Sequence, residues 1–150
     1  MTSLTRREAL VLAGGAALVA ALPVGAARAS AAEMEQLIAE FTGGRIPAAG
    51  RIALTLPEIA ENGNSVPLTF AVESPMTAED HVEAVLVVAD GNPRAGVATF
   101  RFSPMSASAQ ATTRMRLAKT QNVVAIARMK DGSLFKDEKE VKVTIGGCGG

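Results

Sequence analysis

One cysteine occurs in the 150 residues, and it stands third from the end, in Gly146-Gly147-Cys148-Gly149-Gly150. A thiol can act as nucleophile, metal ligand or redox group, each through its thiolate. Free cysteines usually behave as small buried hydrophobes, but this pentapeptide offers no side chain to pack against and a backbone with little steric restriction. Gly146, Gly147, Gly149 and Gly150 therefore read as a flexible arm, and Cys148 as an attachment point for a covalently held group. An unperturbed thiol, with a pKa of about 8.5, is only a few per cent ionised near neutrality. The nearest basic residue in sequence, Lys142, is six positions back. The sulfur is accessible but not activated locally, so activation must come from whatever binds the arm.

No other residues compete for a catalytic role. His81 is the single histidine and lies 67 positions before the cysteine. Nucleophilic Cys/His catalysis needs a base within hydrogen-bond reach, and a zinc site needs further cysteines or histidines. Beside Asp80, at the start of an expected strand, His81 reads as a surface or capping residue. Carboxylates occur as Glu33/Glu35, Glu58/Glu61, Glu79/Asp80/Glu83 and Asp137/Glu138/Glu140. These read as solvated loop faces rather than a paired acid and base or a calcium site. Gly91 and Gly96 lack the spacing of a phosphate-binding loop. Arg114 and Arg116 share a strand face with Thr112, which is either an exposed sheet face or a partner surface. No catalytic residue, metal set or cofactor is assigned.

The beginning of the chain says where the thiol works. Arg6 and Arg7 precede an uncharged stretch over residues 9–27, followed by Ala26-Ala27-Arg28-Ala29-Ser30-Ala31. That is the charged, apolar and A-x-A layout of an export leader, and the adjacent arginines indicate the twin-arginine variety. A transmembrane helix is the competing reading, but Gly14, Gly15, Pro23 and Gly25 dilute a run that would need about 20 strongly apolar residues. Residues 1–29 are expected to be cleaved, with 31 as the alternative end. Losing Arg6, Arg7, Arg28 and Glu8 takes the charge balance from 15 basic and 15 acidic residues to 12 and 14, a net −2. No basic excess remains to hold nucleic acid or an anionic membrane. In an oxidising compartment paired cysteines serve as staples. A single one implies an intermolecular bond or a thiol kept for chemistry.

The remaining 121 residues suffice for one domain. Met34, Leu37, Ile38 and Phe41 fall at helical spacing and predict a short amphipathic helix, stopped by Gly43-Gly44. The period then becomes two. Ile52, Leu54 and Leu56, and then Leu68, Phe70 and Val72, alternate with smaller or polar residues. Residues 82–89 form a dense β-branched run, read as a central strand. Further strands are expected at 96–102, 112–118, 123–129 and 140–145, with Asp131-Gly132 as a hairpin turn. One helix followed by about seven short strands points to an immunoglobulin-like antiparallel β-sandwich over residues 30–145, carrying residues 146–150 as its flexible Gly-rich arm. A closed barrel is the alternative. With Trp and Tyr absent, aliphatics and five phenylalanines must build the core. From Ile145 to Cys148 the arm can extend about 10 Å.

Four segments carry a resemblance: the terminal Gly146-Gly147-Cys148-Gly149-Gly150, Glu61-Asn62-Gly63-Asn64-Ser65-Val66-Pro67-Leu68, Glu73-Ser74-Pro75-Met76, and Thr113-Arg114-Met115-Arg116-Leu117-Ala118. The chain resembles the SoxY family, the sulfur-carrier subunits of the thiosulfate-oxidising Sox system, over its leader and whole mature domain. The resemblance implies a heterodimer with SoxZ, a second β-sandwich lacking its own leader, which would suit export of a folded pair. It implies that a c-type cytochrome, SoxXA, joins thiosulfate oxidatively to Cys148. A manganese hydrolase, SoxB, would then release sulfate, and a sulfane dehydrogenase, SoxCD, would oxidise the remaining persulfide where it is present. On that reading the protein is a periplasmic, non-catalytic carrier without a cofactor of its own.

Two other uses of the tail are weaker. Cys148 could link two sandwiches by an intermolecular disulfide. A diglycine thiocarboxylate tail conflicts with export and with the sandwich pattern, and prenylation needs the cysteine fourth from the end.

Overall fold

A computed structural model describes residues 25–147 of the chain. Arg6, Arg7, Cys148, Gly149 and Gly150 lie outside the described residues. Helix α1 spans Gly25–Thr42 and runs through both expected cleavage registers. It ends as the diglycine predicts: Gly43 and Gly44 adopt φ of 64° and 77°, and the Gly44 amide donates to the Ala39 carbonyl at 3.1 Å. That bond, five residues back across a left-handed glycine, is the Schellman closure of a helix. Among the described residues no helix is long and apolar enough to cross a membrane.

Nine strands follow among the described residues: β1 (Ala48–Ala49), β2 (Ile52–Thr55), β3 (Ile59–Asn62), β4 (Val66–Val72), β5 (Val82–Ala89), β6 (Gly96–Arg101), β7 (Ala109–Met115), β8 (Gln121–Met129) and β9 (Leu134–Ile145). They form two sheets. The larger has the order β1-β9-β8-β5-β6, with β3 also on β9; the smaller is β2-β4-β7. Their inner faces enclose one core, which contains Leu68, Phe70, Val85, Val87, Leu117, Val123 and Val141. Phe70 is its aromatic centre, edge-on to Phe100 at 5.0 Å and to Phe102 at 6.2 Å. This is the expected sandwich, with one addition.

The addition is a third layer. Met34, Leu37, Ile38 and Phe41 of α1 pack on the outer face of the large sheet, against Leu86, Val88, Val124, Ile126 and Leu134. Strands β5 and β8 are therefore buried on both faces, which is why both read as dense apolar runs instead of alternating ones. Arg128 closes the helix end, its guanidinium 4.9 Å from the centre of the Phe41 ring.

Three strand assignments need correction. The last strand begins at Leu134, not at residue 140. The run Lys136-Asp137-Glu138-Lys139-Glu140 has the composition of a loop, yet it pairs continuously with β8. Strands β1 and β3 escape the sequence pattern because they are short. Both run parallel to β9 inside an otherwise antiparallel architecture. Strand β7 sits three residues earlier than expected, because its ladder with β4 ends at the pair Val66 and Met115. Met115 and Leu117 are buried, whereas Arg114 and Arg116 are exposed on the face they share with Thr112.

Candidate functional site

Strand β9 delivers the chain to its terminal motif. Thr144 Oγ1 donates to the Ala60 carbonyl at 3.3 Å and the Glu61 carbonyl at 3.1 Å. On the other side, the Val143 amide donates to Thr120 Oγ1 at 3.0 Å. The end of β9 is thus gripped between β3 and the segment after β7, and the grip continues into the glycines.

Three backbone bonds close it. The Gly63 amide donates to the Ile145 carbonyl at 2.8 Å, the Leu117 amide to the Gly63 carbonyl at 2.8 Å, and the Gly147 amide to the Leu117 carbonyl at 2.9 Å. The Asn62 side chain shapes the turn that brings Gly63 there, its Oδ1 accepting from the Asn64 amide at 2.9 Å. Gly63 and Gly147 are both buried. The arm expected to swing from Gly146 is held against the sandwich as far as Gly147. Glycine permits a close approach of backbones here.

The site is assembled from the segments that carry the family likeness. Residues 61–68 supply Gly63, residues 113–118 supply Leu117 and Ala118, and the terminal motif supplies Gly146 and Gly147. Sequence alone places them more than 25 positions apart and gives no sign that they touch. Among the sequence candidates, Gly146 and Gly147 are seated here, whereas Cys148, Gly149, Gly150, Arg6 and Arg7 lie outside the described residues.

The fourth segment, 73–76, lies elsewhere and has a structural explanation. Met76 is buried and holds a φ of 55°, as does Arg51. Ser74 Oγ donates to the Asp80 carbonyl at 3.2 Å. The Arg51 guanidinium spans both Asp80 carboxylate oxygens at 3.1 and 3.2 Å and donates to the Glu73 carbonyl at 2.9 Å. His81, expected at the surface or as a cap, is buried, with Nδ1 2.9 Å from the Thr77 carbonyl. It fixes this loop.

Three of the four acidic clusters each supply a structural contact. Asp137 accepts from the Leu54 amide at 2.8 Å, Glu33 from the Ala95 amide at 3.0 Å, and Glu83 pairs with Arg128 and Lys130. Among the described residues, no group of three or more His, Cys, Asp or Glu side chains could hold a metal ion. Arg114 donates to the Ser65 carbonyl and hydroxyl at 3.2 Å each, on the exposed outer face of the small sheet where Thr69 and Thr112 hydroxyls meet at 3.0 Å.

Comparisons with known proteins fit this geometry. The family model "Sulfur oxidation protein SoxY" matches residues 38–148, so the match runs through the seated glycines to the cysteine. Among solved structures, the sulfur carrier protein SoxY from Chlorobium limicola f thiosulfatophilum is 34% identical, with a TM-score of 0.62 over 77% of this chain and 100% of that one. A superoxide reductase (neelaredoxin) from Ignicoccus hospitalis aligns at 20% identity and a TM-score of 0.57, covering 63% of this chain and 80% of its own. A putative superoxide reductase from Thermotoga maritima aligns at 19% and 0.54, covering 61% and 84%. These last two share the fold alone. No curated protein matches the chain. The family match over residues 38–148, together with the 34% identity over most of the fold, establishes that the chain belongs to the SoxY family of sulfur-oxidation proteins.

Proposed function

We propose that the protein is a periplasmic carrier of sulfur-oxidation intermediates, held covalently on Cys148 and passed between separate enzymes. The observation that carries this reading is the extent of the family match, which ends on the only cysteine in the chain. The carrier catalyses nothing itself. Its thiol is one partner in reactions whose acids, bases and electron acceptors belong to other proteins.

The chemistry is two-electron at loading and hydrolytic afterwards. The Cys148 sulfur bonds to the outer sulfur of thiosulfate, losing the thiol proton while two electrons pass to a c-type cytochrome of the SoxXA kind. This gives the cysteine S-thiosulfonate. Water then displaces the sulfonate group as sulfate at a hydrolase of the SoxB kind, leaving a persulfide on Cys148. A SoxCD-type dehydrogenase, where present, oxidises that remaining sulfur. A SoxZ-like subunit is the stable partner, and the exposed face bearing Arg114 and Arg116 is the candidate surface for it. Export follows the twin-arginine route directed by Arg6 and Arg7.

The test is mass spectrometry of the C-terminal peptide from cells oxidising thiosulfate. Mass additions on Cys148 that vanish on reduction are expected. A free thiol alone under active turnover overturns the reading. Cys148→Ser should abolish loading and leave the thermal midpoint unchanged.

A further inference from the structure

The diglycine before the cysteine does more than loosen a tail. A Cβ on Gly63 would overlap the Leu117 carbonyl oxygen and stand 2.6 Å from the Gly147 nitrogen. One on Gly147 would stand 2.8 Å from the Gly63 oxygen, and one on Gly146 would overlap the Ala118 carbonyl oxygen. All of these neighbours are backbone atoms and cannot swing aside. The φ angles of the three glycines lie outside the left-handed region, so room alone excludes a side chain. Two segments have given up their side chains at the same point, against the backbone of a third, where residues 63, 117 and 147 exchange hydrogen bonds.

We propose that Gly63 is a positioning residue for the carrier arm. It forms a seat in which Gly146 and Gly147 dock, giving the arm a docked state and a released one. In the docked state the last fixed residue is Gly147, and Cys148 stands one Cα step of about 3.8 Å beyond it. In the released state the fixed point retreats to Ile145 and the reach grows to about 10 Å. Leaving the seat breaks only the Gly147 bond to Leu117, because the Gly63 bonds to Ile145 and Leu117 do not involve the arm glycines. The seat therefore survives arm release and can recapture it. Shallow reagents meet the thiol in either state, whereas an active site deeper than one residue receives it only from the released state. The effective affinity of such a site is then lowered by the fraction of chains released.

The positioning role rests on Cys148 being the carrier residue; the seat itself does not. The test accordingly reads the seat without any sulfur cargo. In the intact mature protein, with its partner if one co-purifies, the Gly147 amide should exchange with deuterium at least tenfold more slowly than an unstructured glycine amide. Exchange at the unstructured rate overturns the proposal, whatever the variants do. Gly63→Ala should erase that protection while amides of the β8 core such as Ala125 and Ile126 keep theirs. It should also sharpen the electron paramagnetic resonance spectrum of a nitroxide attached to Cys148, which lies 85 positions away. If Gly63→Ala does not fold, Gly147→Ala, which fills the seat from the arm side, takes its place. Unchanged nitroxide mobility in a folded variant also overturns the proposal, and leaves the carrier reading untouched.

Discussion

The Asp137 carboxylate in the large sheet accepts a 2.8 Å hydrogen bond from the Leu54 amide in the small one. Strand β2 is an edge strand, paired only with β4, and its outward amides would otherwise need water. Leu54 is buried, so one carboxylate satisfies a donor that no ladder reaches. Removing that acceptor in Asp137→Ala should cost about 1–3 kcal/mol, the range for orphaning a buried donor. Asp137→Asn keeps an oxygen at the same place and should cost less. Denaturant unfolding of the two variants checks the order.

Phe70 has no exposed surface and meets both Phe100 and Phe102 edge-on. Phe70→Ala should lower stability by about 3–5 kcal/mol, as large core truncations do. Unfolding curves read this directly. A loss below 1 kcal/mol would mean that the two sheets close over the gap.

The two expected cleavage registers differ in what they would keep of the fold. Ser30 is buried and its hydroxyl donates to the Asp90 carbonyl at 2.7 Å. Cleavage after Ala29 keeps that bond, and cleavage after Ala31 discards it. The mature exported protein is expected to begin at Ser30, which its intact mass determines. A chain beginning at Ala32 contradicts the expectation.

The β8-β9 turn supplies a pH signature. Hydrogen bonds to Asp131 from the Ser133 hydroxyl, at 2.6 Å, and from the Ser133 amide, at 2.8 Å, hold its carboxyl below the ordinary carboxylate value. A pKa depressed by folding gives a stabilising contribution that is present above the unfolded value, about 3.9. That contribution is lost as pH falls through the folded value. In an NMR titration Asp131 should ionise below the unfolded value, and Ser133→Ala should move it back upward.

How much of this was legible in the sequence depends on how far each pattern extends. The α1 stripe and most of the strands at Val66–Val72, Val82–Ala89 and Gln121–Met129, from Leu68 and Val123 onward in the first and last, follow from side-chain period and density alone. The first half of β9 did not, because Lys136 to Glu140 lie on solvent-facing or rim positions where a strand can carry charge. The seat was hidden for a different reason. Gly63, Leu117 and Gly147 meet through backbone atoms, and backbone bonds leave no mark on composition beyond the glycines themselves. At 146 and 147 the sequence shows a missing side chain but not which backbone stands in its place.

Helix α1 covers Leu86, Val88, Val124, Ile126 and Leu134, and the expected end of the leader, at residue 29, falls inside its first turns. A chain whose helix has not docked presents five clustered aliphatic side chains to water. The same residues then advertise an unfinished fold to any chaperone that binds apolar surface. Completion of folding is thus legible from outside in whether one helix has covered this patch.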